Sequence, residues 1–381
     1  MTLLDILPSL RHATRPRLDP ALWPITTHTD EEGRVCVGGT ALTAIADEFG
    51  TPAHLVDEED FRHRARRYRK AMADVEVVYA ANALLTTRMA RWAADEGLGL
   101  AVCSAGELAT ALAGGVDPAR IVLHGIAKTP DELRAAVAAG VGRVVVESLA
   151  EIAHLGGLAC RRQRVLLRVD QDHSAEAVRR ILGAPNLDLV GLHCDASDPV
   201  TRHDAVRRTV AAMADIRNRE RVLLCEVSLG EGTLEEIDDQ LDEACAAERF
   251  PRPRVVVEAG RAISAHAGVT LYRVCEVHTR SDGQPVVVVD GEIGAVVAGR
   301  GATLANRHAL GPTRIVTVVG TNGGELIRDA ELPADSHPGD LLAVPSSGVI
   351  GRPPVVSVRH GRASALLRRE TTADLLARDM G

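Results

Sequence analysis

Short apolar runs rich in β-branched residues alternate with amphipathic stretches from about residue 38 to residue 264. Each apolar run has the length of a buried strand, and the stretches between them have the period of a helix. The predicted strands cover residues 75–81, 98–104, 120–125, 143–148, 164–170, 187–195, 221–229 and 253–260. Eight strands joined by helices predict a (β/α)8 TIM-type barrel, a fold in which the carboxyl ends of the strands carry the chemistry.

After about residue 265 the apolar runs follow one another without helical stretches between them. They read GVTLYRVCEVHTR, QPVVVVDGE, TRIVTVVG, DLLAVPSS and PPVVSVRHGRASALLRR. Strands joined by short turns are typical of antiparallel sheets, so we expect an antiparallel β-barrel or sandwich domain at 265–381. The N-terminal segment 1–37 and the strand RVCVGGTALT are predicted to return to this β domain, so that the barrel at 38–264 is inserted between its two pieces.

Composition argues against two classes of protein, nucleic-acid-binding proteins and membrane proteins. Hydrophobic residues make up 46% of the 381 residues, and the formal charge is −8 with only 2% aromatic residues. Nucleic-acid binding needs a cationic surface, which this composition does not supply. No apolar run approaches the roughly 18 residues of a membrane helix, and the first residues lack the order of a signal peptide. We therefore expect a cytoplasmic protein that binds neither nucleic acid nor membranes.

The seven cysteines are scattered, with no CxxC pair and no Cys/His ligand spacing. This distribution argues against disulfides and against a structural zinc site. Spacing along the chain therefore predicts no metal site.

Long stretches of the chain resemble one known family. They are LLDILPSLRHATRPRLDPALWP, FGTPAHLVDEEDFRHRARRYRKA, GLGLAVCSAGELATALAGGVDPARIVLHGIAKTPDEL, EAGRAISAHAGVTLYRV and ELPADSHPGDLLAVPSSG. Together they resemble the diaminopimelate decarboxylases, which are fold-type III pyridoxal-phosphate enzymes. The resemblance spans nearly the whole chain. It implies a barrel plus a β domain, a homodimer with active sites between the subunits, and pyridoxal phosphate held as an internal aldimine with a lysine.

The lysine of that family ends the first barrel strand in a Tyr-Ala-x-Lys motif, whereas residues 79–82 of this chain read Tyr-Ala-Ala-Asn. A carboxamide nitrogen is neither basic nor nucleophilic, so Asn82 forms no Schiff base and reprotonates no carbanion. Lysine occurs only at Lys70 and Lys128. Lys128 follows a predicted strand and is the candidate for a substitute Schiff base, although the family has a lysine there as well. Lys70, in an arginine-rich helix, is expected to face solvent.

The resemblance also places changed residues around the cofactor ring and phosphate. The family's ring-stacking histidine lies in a His-x-His-Ile-Gly-Ser run, and residues 193–198 here read His-Cys-Asp-Ala-Ser-Asp, so that Asp195 replaces it. The glycine-rich phosphate loop corresponds to Leu-Gly-Glu-Gly at 229–232, which keeps Gly230 and Gly232 around an acidic residue. An anion at that point opposes phosphate binding.

Two further positions differ, and several match. The acid–base cysteine that reaches into the partner's site corresponds to Thr321, and a tyrosine that touches the cofactor corresponds to Ile350. The matching positions of a residual pyridoxal-phosphate site are His193, Glu258, Gly260 and Arg261. In the family the carboxylate at position 258 pairs with the pyridine nitrogen. Two interpretations of Glu258 and Arg261 stay open, a retained ion pair and residual anion binding.

Three functions follow from this pattern. The concerted losses favour a pseudoenzyme with a regulatory or biosynthetic accessory role, as a homodimer or as a heterodimer with an active paralogous decarboxylase. The alternative is an enzyme with reassigned chemistry on an amino-acid-like substrate, with acid–base groups or metal ligands drawn from Asp195, Asp198, His193, Glu231 and Glu258. Ordinary decarboxylation is the third. No covalent cofactor is expected, and the sequence leaves noncovalent binding of pyridoxal phosphate open.

Overall fold

The fold is that of a computed structural model. It describes residues 18–71, 75–169, 174–195, 198, 200–231, 234–291, 297–298, 301–309, 312–346 and 353–378. The described residues up to His63 and from Arg261 onward form one compact unit, and residues 64–260 form a second. The domain boundaries proposed from the sequence, at 37/38 and 264/265, remain predictions. Among the described residues, no helix combines the length and apolar character needed to cross a membrane.

The described chain begins with a small sheet and two helices. In order, the elements are β1 (His28–Thr29), β2 (Val35–Val37), β3 (Thr40–Ala41), α1 (Leu42–Phe49), β4 (Ala53–Asp57) and α2 (Glu58–Ala71). Reading RVCVGGTALT as one strand is wrong, because Gly38 and Gly39 adopt positive φ values of 60° and 78° and turn β2 back onto β3. The strand that joins the C-terminal sheet is β4.

Residues 64–260 contain the predicted closed barrel of eight parallel strands. Its strands are β5 (Val75–Ala80), β6 (Gly99–Val102), β7 (Ile121–Leu123), β8 (Arg143–Val146), β9 (Gln163–Arg168), β10 (Leu187–Cys194), β11 (Glu226–Glu231) and β12 (Arg254–Glu258). The described helices between them are α3 (Thr87–Asp95), α4 (Ala105–Ala113), α5 (Pro130–Ala139), α6 (Leu149–Leu158), α7 (Ser174–Gly183), α8 (Arg202–Glu220) and α9 (Leu234–Glu248). Strand β12 pairs with β5 and closes the barrel.

Side chains cap two helices of the barrel unit. The Thr129 side chain accepts a hydrogen bond from the backbone N–H of Glu132, whose carboxylate accepts from Thr129 N, so both halves of a capping box are present at α5. Ser104 caps α4 by accepting from the backbone N–H of Glu107, and the Glu107 carboxylate accepts from Cys103 N at 2.7 Å. These local bonds fix the chain where β6 ends and α4 begins.

One predicted barrel strand was placed too early. The apolar run 221–229 predicts a strand, but β11 covers Glu226–Glu231. Its ladders begin at Glu226, which lies opposite Gly191 of β10 and Arg254 of β12. Residues 221–224 take part in neither of these ladders, so their apolar character does not produce a strand.

The C-terminal part is a mostly antiparallel β unit, as predicted. It contains α10 (Arg261–Ser264), β13 (Gly268–Thr279), β14 (Pro285–Val289), β15 (Val297–Ala298), β16 (Thr303–Leu304), β17 (Thr313–Gly320), β18 (Glu325–Pro333), β19 (Leu341–Pro345), β20 (Val355–Arg359), β21 (Arg362–Leu367) and α11 (Thr372–Leu376). Strand β18 escaped the sequence analysis because its solvent face carries charged residues such as Arg328, Asp329 and Glu331. It nevertheless pairs with β17 along nearly its whole length.

Candidate functional site at the carboxyl ends of the barrel strands

The inside of the barrel holds an apolar layer topped by polar side chains. The layer consists of Val78, Ala101, Val122, Val145, Leu166 and Val256. Because side chains return to the same face every second residue, the next inward position along five of these strands is polar. These positions are Cys103, His124, Glu147, Arg168 and Glu258. We call this end of the barrel, where the strands have their carboxyl ends, the barrel mouth.

Two of these side chains, His124 and Glu258, come together with His193 of β10. His124 Nε2 lies 3.0 Å from Glu258 Oε1. The rings of His124 and His193 meet edge to face, with centroids 4.8 Å apart and planes inclined by 77°. One ring nitrogen from each histidine and one carboxylate oxygen of Glu258 all lie within 4.8 Å of one another. Side chains from β10, β12 and the residue after β7 therefore converge on one point.

Burial sets the protonation of the two histidines. The side chain of His124 is 10% exposed, and desolvation, reinforced by His193, holds its pKa well below the ordinary value. Burial lowers the pKa of His193 to about 3, with Arg168 and Lys128 adding repulsion of the charged form. Both imidazoles are therefore neutral near pH 7, and each offers a nitrogen lone pair.

Cations at the barrel mouth are paired with carboxylates. Lys128 Nζ donates to the carbonyl oxygen of Gly125 at 2.7 Å and lies 3.3 Å from Glu151 Oε1, with both charged side chains almost fully buried. Arg168 Nη1 lies 3.2 Å from Glu147 Oε1. Glu151 also accepts a hydrogen bond from the backbone N–H of Lys128 at 2.8 Å. The lysine side chain is thus held by a carbonyl and a carboxylate.

Asn82 lies in the turn that follows β5. It is exposed, in a 3₁₀ turn formed by Ala81–Ala83. Ala259 donates its backbone N–H to Val78 at 2.9 Å, so this end of β5 runs beside the end of β12. Gly260 packs against this turn, since a Cβ there would lie 3.0 Å from the Cβ of Ala80. Asn82 therefore belongs to the barrel mouth.

The acidic residues predicted near His193 have different surroundings. Asp195, directly after β10, is exposed. Asp198 is not part of the group formed by His124, His193 and Glu258. Its carboxylate accepts hydrogen bonds from Val200 N at 3.1 Å and Thr201 Oγ1 at 2.9 Å ahead of α8. The Val200 N–H, followed by the Thr201 hydroxyl, lowers the pKa of Asp198. Asp198 therefore organises its own turn.

The remaining predicted site residues are distributed along the chain. Gly230 is buried within β11, which ends at Glu231. Arg261 is exposed at the start of α10. Thr321 is exposed in the tight turn between β17 and β18, where Gly323 has a φ of 77°. Gly232 and Ile350 lie outside the described residues.

Comparisons with known proteins agree with this architecture. The family model described as "Pyridoxal-dependent decarboxylase, pyridoxal binding domain" matches residues 58–184. A protein named diaminopimelate decarboxylase from Actinosynnema pretiosum subsp. auranticum is 41% identical over 443 aligned positions, which cover 100% of both chains. The chain belongs to the diaminopimelate decarboxylase family. Because the alignment is longer than the 381 residues here, it includes positions at which this member has no residue.

More distant members of the diaminopimelate decarboxylase family extend the comparison. A Mycobacterium tuberculosis protein of that name is 34% identical over 438 positions, covering 94% of this chain and 98% of its own. The crystal structure of diaminopimelate decarboxylase from M. jannaschii in co-complex with L-lysine superposes with a TM-score of 0.80 at 21% identity, over 94% of this chain and 99% of that one. The structural similarity confirms the barrel-plus-β fold.

His193 and Glu258 are among the site residues that the sequence predicts, whereas His124 is not. The missed signal is the strand period. His124 stands two residues after the inward-facing Val122, as Glu258 does after Val256. Counting inward positions along the strands brings His124 and Glu258 to the same level of the barrel. His193 does not follow this count, because the register of β10 shifts between Leu189 and Gly191.

Proposed function

We propose that this member of the diaminopimelate decarboxylase family does not decarboxylate through a lysine-bound pyridoxal phosphate and acts instead by binding, as a regulatory or accessory protein. Pyridoxal phosphate acts as an electron sink for the substrate's carbanion. The family holds it as an aldimine with a lysine. Position 82, where the resemblance expects that lysine, holds an exposed asparagine. The residues present do not fit the covalent form of the cofactor.

The observation that carries this proposal is the surroundings of the two lysine side chains, Lys128 and Lys70. Lys128 is the lysine at the barrel mouth, and its amine already contacts the Gly125 carbonyl and the Glu151 carboxylate. A Schiff-base lysine needs an amine that can attack the aldehyde of the cofactor, whereas the Lys128 amine is engaged by two protein oxygens in a buried position. Lys70 is exposed near the end of α2. Neither lysine has the surroundings that aldimine formation requires.

The test traps any Schiff base chemically. Purified protein is incubated with pyridoxal phosphate, reduced with borohydride and analysed by peptide mass spectrometry, while carbon dioxide release from diaminopimelate is measured in parallel. A decarboxylase of the same family serves as the positive control, and K70R removes adventitious labelling of the exposed lysine. We expect no labelled Lys128 and no carbon dioxide release. A labelled Lys128 together with turnover would overturn the proposal.

The proposed binding role predicts a partner subunit. We propose that the chain forms a homodimer, and that it also pairs with an active paralogous decarboxylase in the cytoplasm. The resemblance implies active sites shared across the dimer, so a mixed dimer would present Thr321 where the paralogue needs a cysteine. Thr321 lies in an exposed turn, which supports its availability to another subunit. Inhibition of the paralogue follows.

Co-expression with an active family member tests the mixed dimer. We expect one species containing both chains in size-exclusion chromatography, with decarboxylase activity per active chain reduced. The T321C variant should restore part of that activity, because it returns a thiol to the shared position. Homodimers alone, with unaltered decarboxylase activity, would argue against this role.

A further inference from the structure

We propose that His124, His193 and Glu258 bind one divalent transition-metal ion at the barrel mouth. Among the described residues, these three form the cluster of His, Cys, Asp and Glu side chains whose ligand atoms lie close enough to share an ion. Two imidazole nitrogens and one carboxylate oxygen make a donor set that suits zinc and its neighbours in the first transition row.

The distances fit a single ion. Ligand atoms about 2.0–2.2 Å from a tetrahedral zinc lie roughly 3.3 Å from one another. His124 Nε2 and Glu258 Oε1 are already 3.0 Å apart, and all three ligand atoms lie within 4.8 Å. A side-chain rotation that moves the His193 ring nitrogen by about 1.5 Å therefore brings it into the coordination sphere.

A hydrogen bond orients the second histidine for this role. His193 Nδ1 lies 3.1 Å from the hydroxyl oxygen of the buried Ser228. Metal-bound histidines generally use their second ring nitrogen in such a bond, which fixes both the tautomer and the ring direction. With Nδ1 occupied by the hydroxyl, Nε2 is the nitrogen available for the ion. His193 and Ser228 also lie directly opposite each other on β10 and β11.

The backbone holds the ligands on rigid elements. His193 lies within β10 and Glu258 ends β12, both strands of the closed barrel. His124 follows β7, and its backbone N–H donates to Val102 O at 2.7 Å. The next residue, Gly125, has a φ of 105°, and a Cβ there would lie 3.0 Å from Cys103 O. This glycine allows the chain to turn immediately after the ligand.

The local charge permits a dication. Lys128 and Arg168 act electrostatically on the two histidines, but each lies beside a carboxylate, at 3.3 Å from Glu151 and 3.2 Å from Glu147 respectively. Glu258 supplies an anionic ligand to the group of three. Three protein ligands leave a fourth position for water or a ligand, as in catalytic zinc sites. The side chain of Glu258 is 16% exposed, which is consistent with access from solvent.

This inference rests on the proposed function. If pyridoxal phosphate were bound with its pyridine nitrogen paired to Glu258, that carboxylate would not be available to the metal ion. It deepens that function by giving the barrel mouth a cofactor of a different class. The ion would offer its open position to a small molecule with a carboxylate or amine donor.

The test measures metal binding directly. Tag-free protein is stripped with a chelator, dialysed and titrated with Zn²⁺ by calorimetry, and its metal content is then determined. Co²⁺ loading supplies a visible spectrum that reports ligand geometry. We expect one ion per chain, and H124Q, H193Q and E258Q should each weaken binding at least tenfold. The S228A variant should weaken it by about 10–100-fold without removing a ligand.

The exposed His154 of α6 provides the matched control. H154Q should bind Zn²⁺ like the parent, and circular dichroism of every metal-free variant establishes that it is folded. No stoichiometric ion, or binding that is unchanged in both H193Q and E258Q, would overturn the metal site. Borohydride trapping on the same preparation separates the two proposals. A labelled Lys128 together with turnover contradicts the proposed function, whereas unlabelled protein that fails to bind Zn²⁺ contradicts the metal site alone.

Discussion

His124 Nε2 lies 3.0 Å from Glu258 Oε1, although the two residues are far apart along the chain. Closure of the barrel creates this contact, because β12 pairs with β5 and returns its end to the strands that begin the barrel. The contact also defines the chemistry of the barrel mouth. A neutral, buried imidazole faces a carboxylate, and a second imidazole lies beside them. This arrangement can hold a proton or a cation without any lysine.

Restoring a lysine at position 82 should not restore decarboxylation. In N82K the exposed 3₁₀ turn can accept the longer side chain without disturbing the core, so we expect a borohydride-reducible Schiff base with added pyridoxal phosphate. Carbon dioxide release from diaminopimelate should stay at background, because the family resemblance expects the stacking histidine and the acid–base cysteine at the positions of Asp195 and Thr321. Turnover by N82K alone would contradict the proposal that the residues at positions 195 and 321 prevent decarboxylation. The double variant N82K/D195H measures how much the ring contact contributes.

The buried ion pair between Lys128 and Glu151 should be important for stability. Their charged side chains are 1% and 5% exposed, and K128M leaves a buried carboxylate without its cation. We expect the free energy of unfolding in urea to fall by about 3 kcal/mol, the lower end of the range for breaking a buried pair. The loss is not larger because two backbone N–H groups still donate to Glu151. R180A removes a half-exposed pair with Glu176 and should cost no more than about 0.5 kcal/mol. Equal losses in the two variants would refute this account.

Two glycines of the barrel unit should respond oppositely to alanine. A Cβ on Gly191 would overlap the backbone oxygen of Glu226 on the neighbouring strand. G191A should therefore lower the free energy of unfolding by more than about 3 kcal/mol, or prevent folding. Gly157 in α6 is exposed and a Cβ there would meet no atom within 4 Å, so G157A should stabilise by up to about 1 kcal/mol. Chemical denaturation of both variants checks the pair, and a well-folded G191A would count against the strand register.

A buried histidine of the β unit should make stability depend on pH. His54 is 1% exposed and shares a 2.9 Å hydrogen bond with Thr270, and burial lowers its pKa to about 4. Between about pH 6.5 and 4 the unfolded chain takes up a proton that the folded chain does not, so the free energy of unfolding falls as the pH falls. H54Q cannot titrate. We expect it to reduce the loss between pH 7 and 4.5 by about 2 kcal/mol, and identical pH profiles for parent and variant would exclude His54 as the cause.

The sequence by itself determined the two kinds of architecture. The alternation of apolar runs with amphipathic stretches predicted the barrel, and runs without helices predicted the β unit. These patterns are local consequences of side-chain period and burial, so they can be read without knowing which strands pair. Caps such as Thr129 with Glu132 were predictable for the same reason, since all their partners lie within one turn.

Only the tertiary structure decided which side chains meet. The first residues of the apolar run 221–229 form a loop rather than a strand, because the backbone pairing with the two neighbouring strands begins only at Glu226. His124 joined His193 and Glu258 because barrel closure brings three separate strand ends to one point. Lys128 was tied to Glu151 by a contact between consecutive βα units that neither residue's neighbours indicate. Such relationships depend on register and closure, which are properties of the assembled barrel rather than of any single segment.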